Sequence, residues 1–512
     1  MTRGYRPFRL HPAAVATLAA LSLAAAMPAA MAKPAKKAAP TRLAQASTPA
    51  KPATAPAAPA APSAPGLPSI PVPVIDQTPQ QSAAEAALLA ARSGVREDLM
   101  SVYRDALAND SLFAAQRFQA QADLEKTPQA RAALLPQVGL TGTANYNNID
   151  GTSTIIRGDN WKAYGGGLNL LAPVYRPQAW ETFEQSKLFV MQSEAALAQA
   201  RQDLILRTAQ AYFAVLTARD QLIYLEAAKK ATLEQLSQAK REFEVGTKTI
   251  IDANEAQARY DQITAQEQVA LGQLLVARSQ LQTLIAREPA AVAGLRDRPN
   301  LQPPSPQELP PWVKLAEDSN YTVQIARAGT EIATRELQKA KDGYKPTLDV
   351  VGNYSHNRFD GRAPAEVTYN ARGGQIGLQL NWPVFTGGFT QSRVRETLAL
   401  DEKSRADLES ARRGAANNAR DAFTGVSFGL STVKALESAE VSSKTQLEST
   451  QLGYQVGVRI LLDVLNATTQ LYLTQRDLKQ ARYAVLLSGL RLKATTAALT
   501  DEDVAAVNAL LQ

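Results

Sequence analysis

The sequence of 512 residues contains no cysteine, only two histidines and few aromatic residues, which make up 6% of the chain. The absence of cysteine excludes disulfide bonds, cysteine nucleophiles, thiolate metal sites and lipid attachment to an N-terminal cysteine. Because histidine is so scarce, a transition-metal site would depend on carboxylates, and no carboxylate cluster stands out in the sequence. No Gly-x-x-x-x-Gly-Lys-Ser/Thr phosphate-binding loop is present either. We therefore expect no metal and no cofactor.

The main part of the chain also lacks a net charge, although the whole sequence carries a formal charge of +7. Residues 1–80 contain eight basic residues and one acidic residue, Asp76, which leaves 47 basic and 47 acidic residues in 81–512. The basic balance therefore belongs to the N-terminal segment, and it gives no reason to expect a nucleic-acid partner.

Residues 1–32 are predicted to be a signal peptide, because three arginines precede an apolar stretch and Ala30-Met31-Ala32 resembles a cleavage site. A retained N-terminal anchor is the alternative, but the apolar stretch is short for a membrane-spanning helix. No later run approaches the roughly 20 apolar residues that such a helix needs. Residues 33–95, rich in proline, alanine and lysine, are predicted to form a disordered tether, since this composition buries little apolar surface.

The rest of the chain consists of two similar halves. Pro136 and Pro346 are 210 residues apart, and so are Pro173 and Pro383. Farther along, the segment 243–252 matches 454–463 at a spacing of 211 residues. A spacing this constant indicates an internal duplication. We place the first repeat at 96–295, a proline-rich linker at 296–310, the second repeat at 311–505 and a C-terminal tail at 506–512.

Each half begins with a helical segment, at about 96–134 and 311–343, and two strand-like segments follow it. In 375–382 apolar residues alternate with polar or small ones, which predicts a strand with one apolar face. Such strands also occur in soluble sheets. Lengths near ten residues and aromatic residues near the strand ends are, however, typical of outer-membrane barrels. The aromatic residues concerned are Tyr146, Trp161, Tyr354, Tyr369 and Trp382.

A very long helical segment follows the second strand of each half, at about 176–243 and 386–453. Small and apolar residues recur there at spacings of three and four positions. Gly246 and Gly457 interrupt the pattern, and helical periodicity then resumes to about residues 287 and 499. A helix of this length measures about 100 Å, too long for a compact globular core. A coiled-coil rod and a helical tube both remain possible.

If the strands lie in a membrane, they require an oligomer. Four strands cannot close a barrel, and an open sheet edge in lipid would leave backbone groups unpaired at several kcal/mol each. Several copies must then share one barrel, as a ring with closed symmetry.

Two motifs occur twice and in the same order. They are the strand-to-helix joints, Pro173-Val-Tyr and Pro383-Val-Phe-Thr-Gly-Gly, and the hairpin motif Gly-Tyr-Gln-Val-Gly-Val-Arg-Ile-Leu-Leu-Asp-Val-Leu-Asn at 453–466 with its first-half counterpart. Across residues 96–505 the chain resembles the TolC family of outer-membrane efflux and secretion channels.

This resemblance implies an α+β membrane protein that is internally duplicated. In this family the chain forms a homotrimer, and four membrane β-strands per subunit complete a 12-stranded β-barrel, continued by a long periplasmic α-helical barrel. The resemblance also implies an exit duct for small molecules or proteins in a tripartite efflux or type I secretion system. Its partners would be a periplasmic adaptor, an inner-membrane transporter and outer-membrane lipid.

The resemblance further assigns a gate at the periplasmic end of the tunnel. Tyr454 and Arg459 match linking residues, and Asp252 matches their acidic partner. Asp463 matches an acidic constriction ring, and Asn466 stands where the family often has a second aspartate. We therefore expect a cation-selective ring that is weaker than one with two aspartates.

Two features of the first hairpin qualify this assignment. Ile251 occupies a position where a hydroxyl often assists the link. Asp252 has Glu255 three residues later, so a helix N-cap box is a nearly equal explanation for this aspartate.

Two other classes of protein are alternatives. Gly425-Val-Ser427-Phe-Gly429 satisfies the nucleophile pattern Gly-x-Ser-x-Gly, which needs a strand before the serine and a histidine after it. Ser427 lies in a helical pattern and His356 precedes it, so we expect no enzyme. A structural coiled-coil protein of the cell envelope, without channel activity, is the second alternative, and the paired amphipathic strands and duplicated glycine breaks argue against it.

Overall fold

The computed structural model describes residues 96–152, 157–247, 249–361 and 369–512. The predicted signal peptide and the predicted tether lie outside these residues. Within them, each half contains short helices, a pair of strands and a hairpin of two long helices, in that order.

The elements of the first half are α1 (Leu99–Asn109), α2 (Ser111–Leu124), α3 (Lys126–Ala132), β1 (Gln137–Thr152), β2 (Arg157–Tyr175), α4 (Pro177–Glu244) and α5 (Ile250–Ile285). Those of the second half are α6 (Leu309–Ser319), α7 (Tyr321–Lys341), β3 (Thr347–Gly361), β4 (Tyr369–Asn381), α8 (Phe389–Gln455), α9 (Leu461–Thr495) and α10 (Asp501–Asn508). A single 3-10 turn, Asp342–Tyr344, connects α7 to β3. The same order in both halves confirms the internal duplication.

The helical segment before each strand pair is divided by a capped break, which the sequence pattern did not reveal. The Asp110 carboxylate accepts a hydrogen bond from the Phe113 backbone N–H at 2.6 Å and so caps α2. Asn320, at the matching position of the second half, caps α7 through the Thr322 N–H at 2.8 Å. Short polar side chains favour this position because they bind N–H groups that a new helix leaves unpaired.

The long helices form where the sequence predicts them. Helix α4 has 68 residues and α8 has 67, so each is about 100 Å long. Both end near the predicted glycine, and their partners α5 and α9 run antiparallel beside them. Among the described residues, no helix combines the length and apolar character needed to cross a membrane.

The four strands form one antiparallel sheet in the order β1-β2-β3-β4. The register places Leu140 opposite Leu168, Leu168 opposite Tyr354, and Val350 opposite Leu378. One face of the sheet is therefore apolar over several rows, as the alternation predicts. The strands have 13 to 19 residues rather than about ten, so they extend beyond the apolar rows.

The opposite face of the sheet carries a polar ladder. The Asn353 Nδ2 donates to Asn169 Oδ1 at 2.6 Å, and the Asn169 Nδ2 donates to Thr141 Oγ1 at 3.4 Å. Side chains on this face are half-buried, whereas Tyr354 and Leu168 on the apolar face are exposed. Side chains crowd together on the concave side of a curved sheet, so the apolar face is the convex one.

The largest core lies about halfway along the long helices. It joins α1, α4, α5, α9 and α10 with the segment that follows α5. Tyr212 is fully buried there, and its hydroxyl donates to the Ala293 carbonyl at 2.7 Å. Leu295 pairs with Leu511. Helix α10 and this bridge cross the predicted boundary between the second repeat and the tail.

Candidate functional site at the helix hairpin tips

The two hairpin tips have the same backbone design. Gly246 and Gly457 adopt φ angles of 78° and 82°, a left-handed conformation that costs an ordinary L-residue about 1–2 kcal/mol. At the first tip, the Gly246 and Thr247 N–H groups donate to the Phe243 and Glu242 carbonyls, both at 2.9 Å. The second tip repeats both bonds, from Gly457 to Tyr454 and from Val458 to Gly453. This is the Schellman motif, and it explains why each break requires glycine.

Asp252 lies at the start of α5, where it completes a capping box. Its Oδ2 accepts bonds from the Thr249 N–H at 3.2 Å and from the Thr249 hydroxyl at 2.9 Å. The cap residue is therefore Thr249, and Asp252 is the third residue of the helix rather than the cap with Glu255 as its partner. Carboxylate oxygens accept several hydrogen bonds, so this cap is compatible with a further link.

Tyr454 joins the two hairpins. It is buried in a small core with Leu236 of α4, Ala253 of α5 and Leu465 of α9. Its hydroxyl donates to Glu242 Oε2 at 2.7 Å. Burial, followed by the nearby Glu242 carboxylate, raises the pKa of the Tyr454 hydroxyl. The tyrosine therefore stays protonated and remains a hydrogen-bond donor at physiological pH.

Arg459 and Asp463 form an exposed ion pair at the second tip. The Arg459 Nη1 lies 3.6 Å from Asp463 Oδ2, and the side chains are 62% and 38% exposed. A Cβ at Gly453 would come within 2.8 Å of Arg459 Cγ, so this glycine allows the arginine to lie across the end of α8. Exposed pairs of this kind contribute little, about 0–1 kcal/mol. Arg459 is thus held only weakly within its own chain.

Asn466 takes part in a contact between the two hairpins. Its Oδ1 accepts a hydrogen bond from Arg259 Nη2 of α5 at 3.3 Å. Arg259 and Glu242 are the site residues that sequence reasoning missed. Arg259 follows Asp252 by seven residues, which places both on one face of α5, and this spacing is the signal that could have identified it.

The two strand-to-helix joints differ in structure. Pro173 lies in β2 beyond the last residue paired with β1, at an irregularity in the pairing with β3, where its missing N–H breaks no ladder bond. Arg176 follows, and it makes two bonds to the buried Asp349 carboxylate, at 2.7 and 2.9 Å. Pro383 lies instead in a loop after β4, which ends at Gly387 and Gly388 with φ of 63° and 85°.

The Gly-x-Ser-x-Gly pattern belongs to helix packing. Ser427 lies within α8, which continues on both sides of it. A Cβ at Gly425 would lie 2.8 Å from Ser488 Oγ, and one at Gly429 would lie 2.7 Å from Val485 Cγ2. The two glycines therefore allow α9 to approach α8 closely. His356 lies in β3, in a different part of the chain.

The sequence model of the family described as outer membrane efflux protein matches residues 102–287 and again 312–498, one match for each repeat. The chain belongs to this family. It is 31% identical over 417 residues to outer membrane protein TolC of Vibrio cholerae, covering 81% of this chain and 94% of that protein. It is also 29% identical over 429 residues to the alkaline protease secretion protein AprF of Pseudomonas aeruginosa, covering 81% and 88%.

Solved structures show the same fold. The outer membrane protein VceC of Vibrio cholerae matches with a TM-score of 0.65 at 17% identity, over 78% of this chain and 96% of that one. CusC, a transmembrane channel, matches with a TM-score of 0.68 at 17% identity, over 78% and 92%. The predicted fold class is confirmed: this is an outer-membrane channel protein, with a small β-domain and a long helical part in the periplasm. The family consists of channel proteins rather than enzymes.

Proposed function

We propose that three copies of the chain form one channel-tunnel, the exit duct of a tripartite efflux or type I secretion system. The observation that carries this proposal is the sheet. Among the described residues, β1 pairs only with β2 and β4 only with β3, so each copy has two open edges. Pairing β4 of one copy with β1 of the next satisfies these edges, and three copies give 12 strands with the apolar face toward lipid.

Relatives with different cargo support both kinds of duct. The names of the relatives include an outer membrane protein TolC and a protease secretion protein. We infer that small molecules, proteins or both leave through this channel.

An adaptor protein would dock on the tips. Val245, Ile251, Val456 and Val458 are 62–76% exposed, although all are apolar and lie close to the turns. Apolar side chains grouped in this way are typical of a surface that binds a partner. The partner would be the periplasmic adaptor, which connects the tunnel to an inner-membrane transporter.

The gate would lie at the same end. Tyr454 already connects the hairpins through Glu242, and Arg459 is held by a single long ion pair. We infer that in the closed trimer Arg459 binds Asp252, with Tyr454 supporting the link. Three symmetric links, each worth about 0.5–3 kcal/mol depending on burial, would keep the tunnel shut. Three copies of Asp463 would form a negative ring that favours cations.

Recordings in planar lipid bilayers test the duct and its gate. Tyr454→Phe combined with Arg459→Ser should raise single-channel conductance, and Asp463→Ala should lower selectivity for cations. Glu448→Ala, an exposed acid farther along α8, is the matched control and should change neither property. A wild-type protein without conductance would refute the channel. Unchanged conductance and selectivity in the gate variants would place the gate elsewhere.

A further inference from the structure

The apolar face of the sheet ends in basic side chains, at the end away from the helices. The register places His356 of β3 opposite Arg372 of β4. Arg358, two residues beyond His356, lies opposite Tyr164 of β2, and Lys162 follows on the same face. All four basic side chains are exposed. We call Lys162, His356, Arg358 and Arg372 the basic row.

Tyrosines separate the basic row from the leucines. Tyr354 precedes His356 by two residues on the same face, and its ring lies 3.1 Å from where a Cβ of Gly374 would be. Tyr164 and Tyr146 occupy corresponding places on β2 and β1, next to Arg358 and Lys162. Along the strands the order is therefore leucine, tyrosine, cation. Aromatic rings favour the headgroup level of a membrane, and the cations lie just beyond it.

The position of the helices tells which leaflet this is. The helical part is periplasmic, and it joins the sheet at Tyr175 and Asn381, so the opposite end of the strands reaches the outer leaflet. We propose that the basic row binds the phosphate groups of an anionic glycolipid of that leaflet, of the lipopolysaccharide class. This inference rests on the proposed trimer, in which the apolar face points toward lipid.

The chemistry favours a lipid over a soluble phosphate. Guanidinium groups bind phosphate oxygens in pairs, and basic residues beside a bilayer attract anionic headgroups. The acyl chains of the same lipid would lie on the leucines below, which a soluble phosphate cannot use. The register partner of Lys162 is Asp360, so Arg372 and Arg358 carry most of the argument.

A neighbouring subunit would not cover the row. Subunits that join through β4 and β1 lie edge to edge, and edge pairing leaves the faces of a sheet open. Arg358 lies on β3 and Lys162 on β2, which are the two interior strands.

Binding of defined lipids to the assembled, detergent-solubilised full-length protein tests the proposal, with bound lipid counted by native mass spectrometry. The probes are lipid A with two phosphates, lipid A with one phosphate, phosphatidylglycerol and inorganic phosphate. The wild type should retain the bisphosphorylated form best. Arg358→Gln with Arg372→Gln should weaken its binding at least tenfold, since each basic residue near an anionic surface contributes roughly a factor of five. Arg420→Gln with Lys444→Gln, on the periplasmic helix α8, is the control pair and should bind like the wild type.

Two results would overturn the proposal: equal retention of all the lipids by the wild type, or equal binding by the two pairs of variants. Competition by inorganic phosphate alone would show a site for the free anion and would also refute a lipid site. The comparison among lipids uses the unaltered chain, so it remains decisive if the arginine variant does not fold. The oligomeric state and conductance of each preparation are measured in parallel. A wild type that forms no conducting trimer contradicts the proposed function instead.

Discussion

The two hairpin tips share one backbone design but use their polar side chains differently. At the first tip Thr249 and Asp252 bind each other and cap α5. At the second tip the cap position is Ile460, which makes no side-chain cap bond, and Asp463 pairs with Arg459 instead. The first tip thus satisfies its polar groups locally. The second presents weakly held charges, which another subunit can bind.

The other duplicated features diverge in the same manner. The first strand-to-helix joint is fixed by an ion pair between Arg176 and Asp349, whereas the second is a glycine loop. The cap at Asp110 is a carboxylate bound to Arg207, and its counterpart Asn320 is a neutral amide bound to the Thr495 carbonyl. After the duplication, the fold constrained the backbone of each half more strongly than the side chains that hold it.

The largest expected effect lies at the joints. Arg176→Ala leaves the Asp349 carboxylate, whose side chain is 11% exposed, without its partner, and should cost about 2–4 kcal/mol. Gly388→Ala at the other joint should cost only about 1–2 kcal/mol, for a left-handed alanine. Thermal unfolding of the trimer in detergent, followed by circular dichroism, compares the two. Arg413→Ala removes an arginine that is 80% exposed and should have almost no effect. Equal losses at both joints would mean that the ion pair does not fix the first one.

The caps should respond to pH with opposite signs. Burial is the largest single influence on Asp110 and opposes ionisation, but bonds from Arg207 and the Phe113 N–H together lower the pKa of this carboxyl. Its stabilisation is therefore complete above the unfolded pKa of about 3.9 and is lost as the pH falls through the lower folded value. Asp110→Asn should remove this acid-sensitive part and cost about 1–3 kcal/mol near neutral pH.

Asn320→Asp should behave in the reverse way. The amide of Asn320 donates to the Thr495 carbonyl at 2.9 Å, and a carboxylate cannot donate this bond. The variant should therefore be destabilised at neutral pH and regain stability in acid, when the new side chain is protonated. Unfolding midpoints between pH 3 and 7 measure both slopes, and parallel slopes would contradict the comparison.

Sequence periodicity predicted the long helices, the strands and the glycine breaks for identifiable reasons. Heptad-like and two-residue patterns persist over many residues, and a φ near 80° leaves glycine as the favoured residue at Gly246 and Gly457. The breaks at Asp110 and Asn320 were not predicted, because one residue changes there while the helical pattern continues. Contacts such as Tyr454 with Glu242 join positions 212 residues apart, and no local pattern encodes them.

Equal effects are expected at the two turns, where the halves are most alike. Gly246→Ala and Gly457→Ala should each cost about 1–2 kcal/mol, because both glycines adopt a left-handed conformation and end a helix with the same bonds. Gly272→Ala, in the interior of α5 with open space around it, should instead gain about 0.5–1 kcal/mol. Unfolding in denaturant gives all three values. A difference above 1 kcal/mol between the two turns would show that they are not equivalent.

The smallest expected effect is also the most specific, because it converts one tip into the other. Ile460 already has the extended backbone of a cap, with φ of −95° and ψ of 161°, and Asp463 is the third residue of α9. Ile460→Thr should therefore create the Thr-x-x-Asp capping box of the first tip and stabilise the hairpin by about 0.5–1 kcal/mol. Thr249→Ala should remove the original box at a similar cost. The new cap would draw Asp463 from Arg459 and leave the arginine to other acids, so channel opening should become rarer in bilayer recordings although the hairpin is more stable. Ile460→Val, which adds no hydroxyl, is the control. If Ile460→Thr and Ile460→Val open equally often, the exposed pair of Arg459 and Asp463 has no part in the gate.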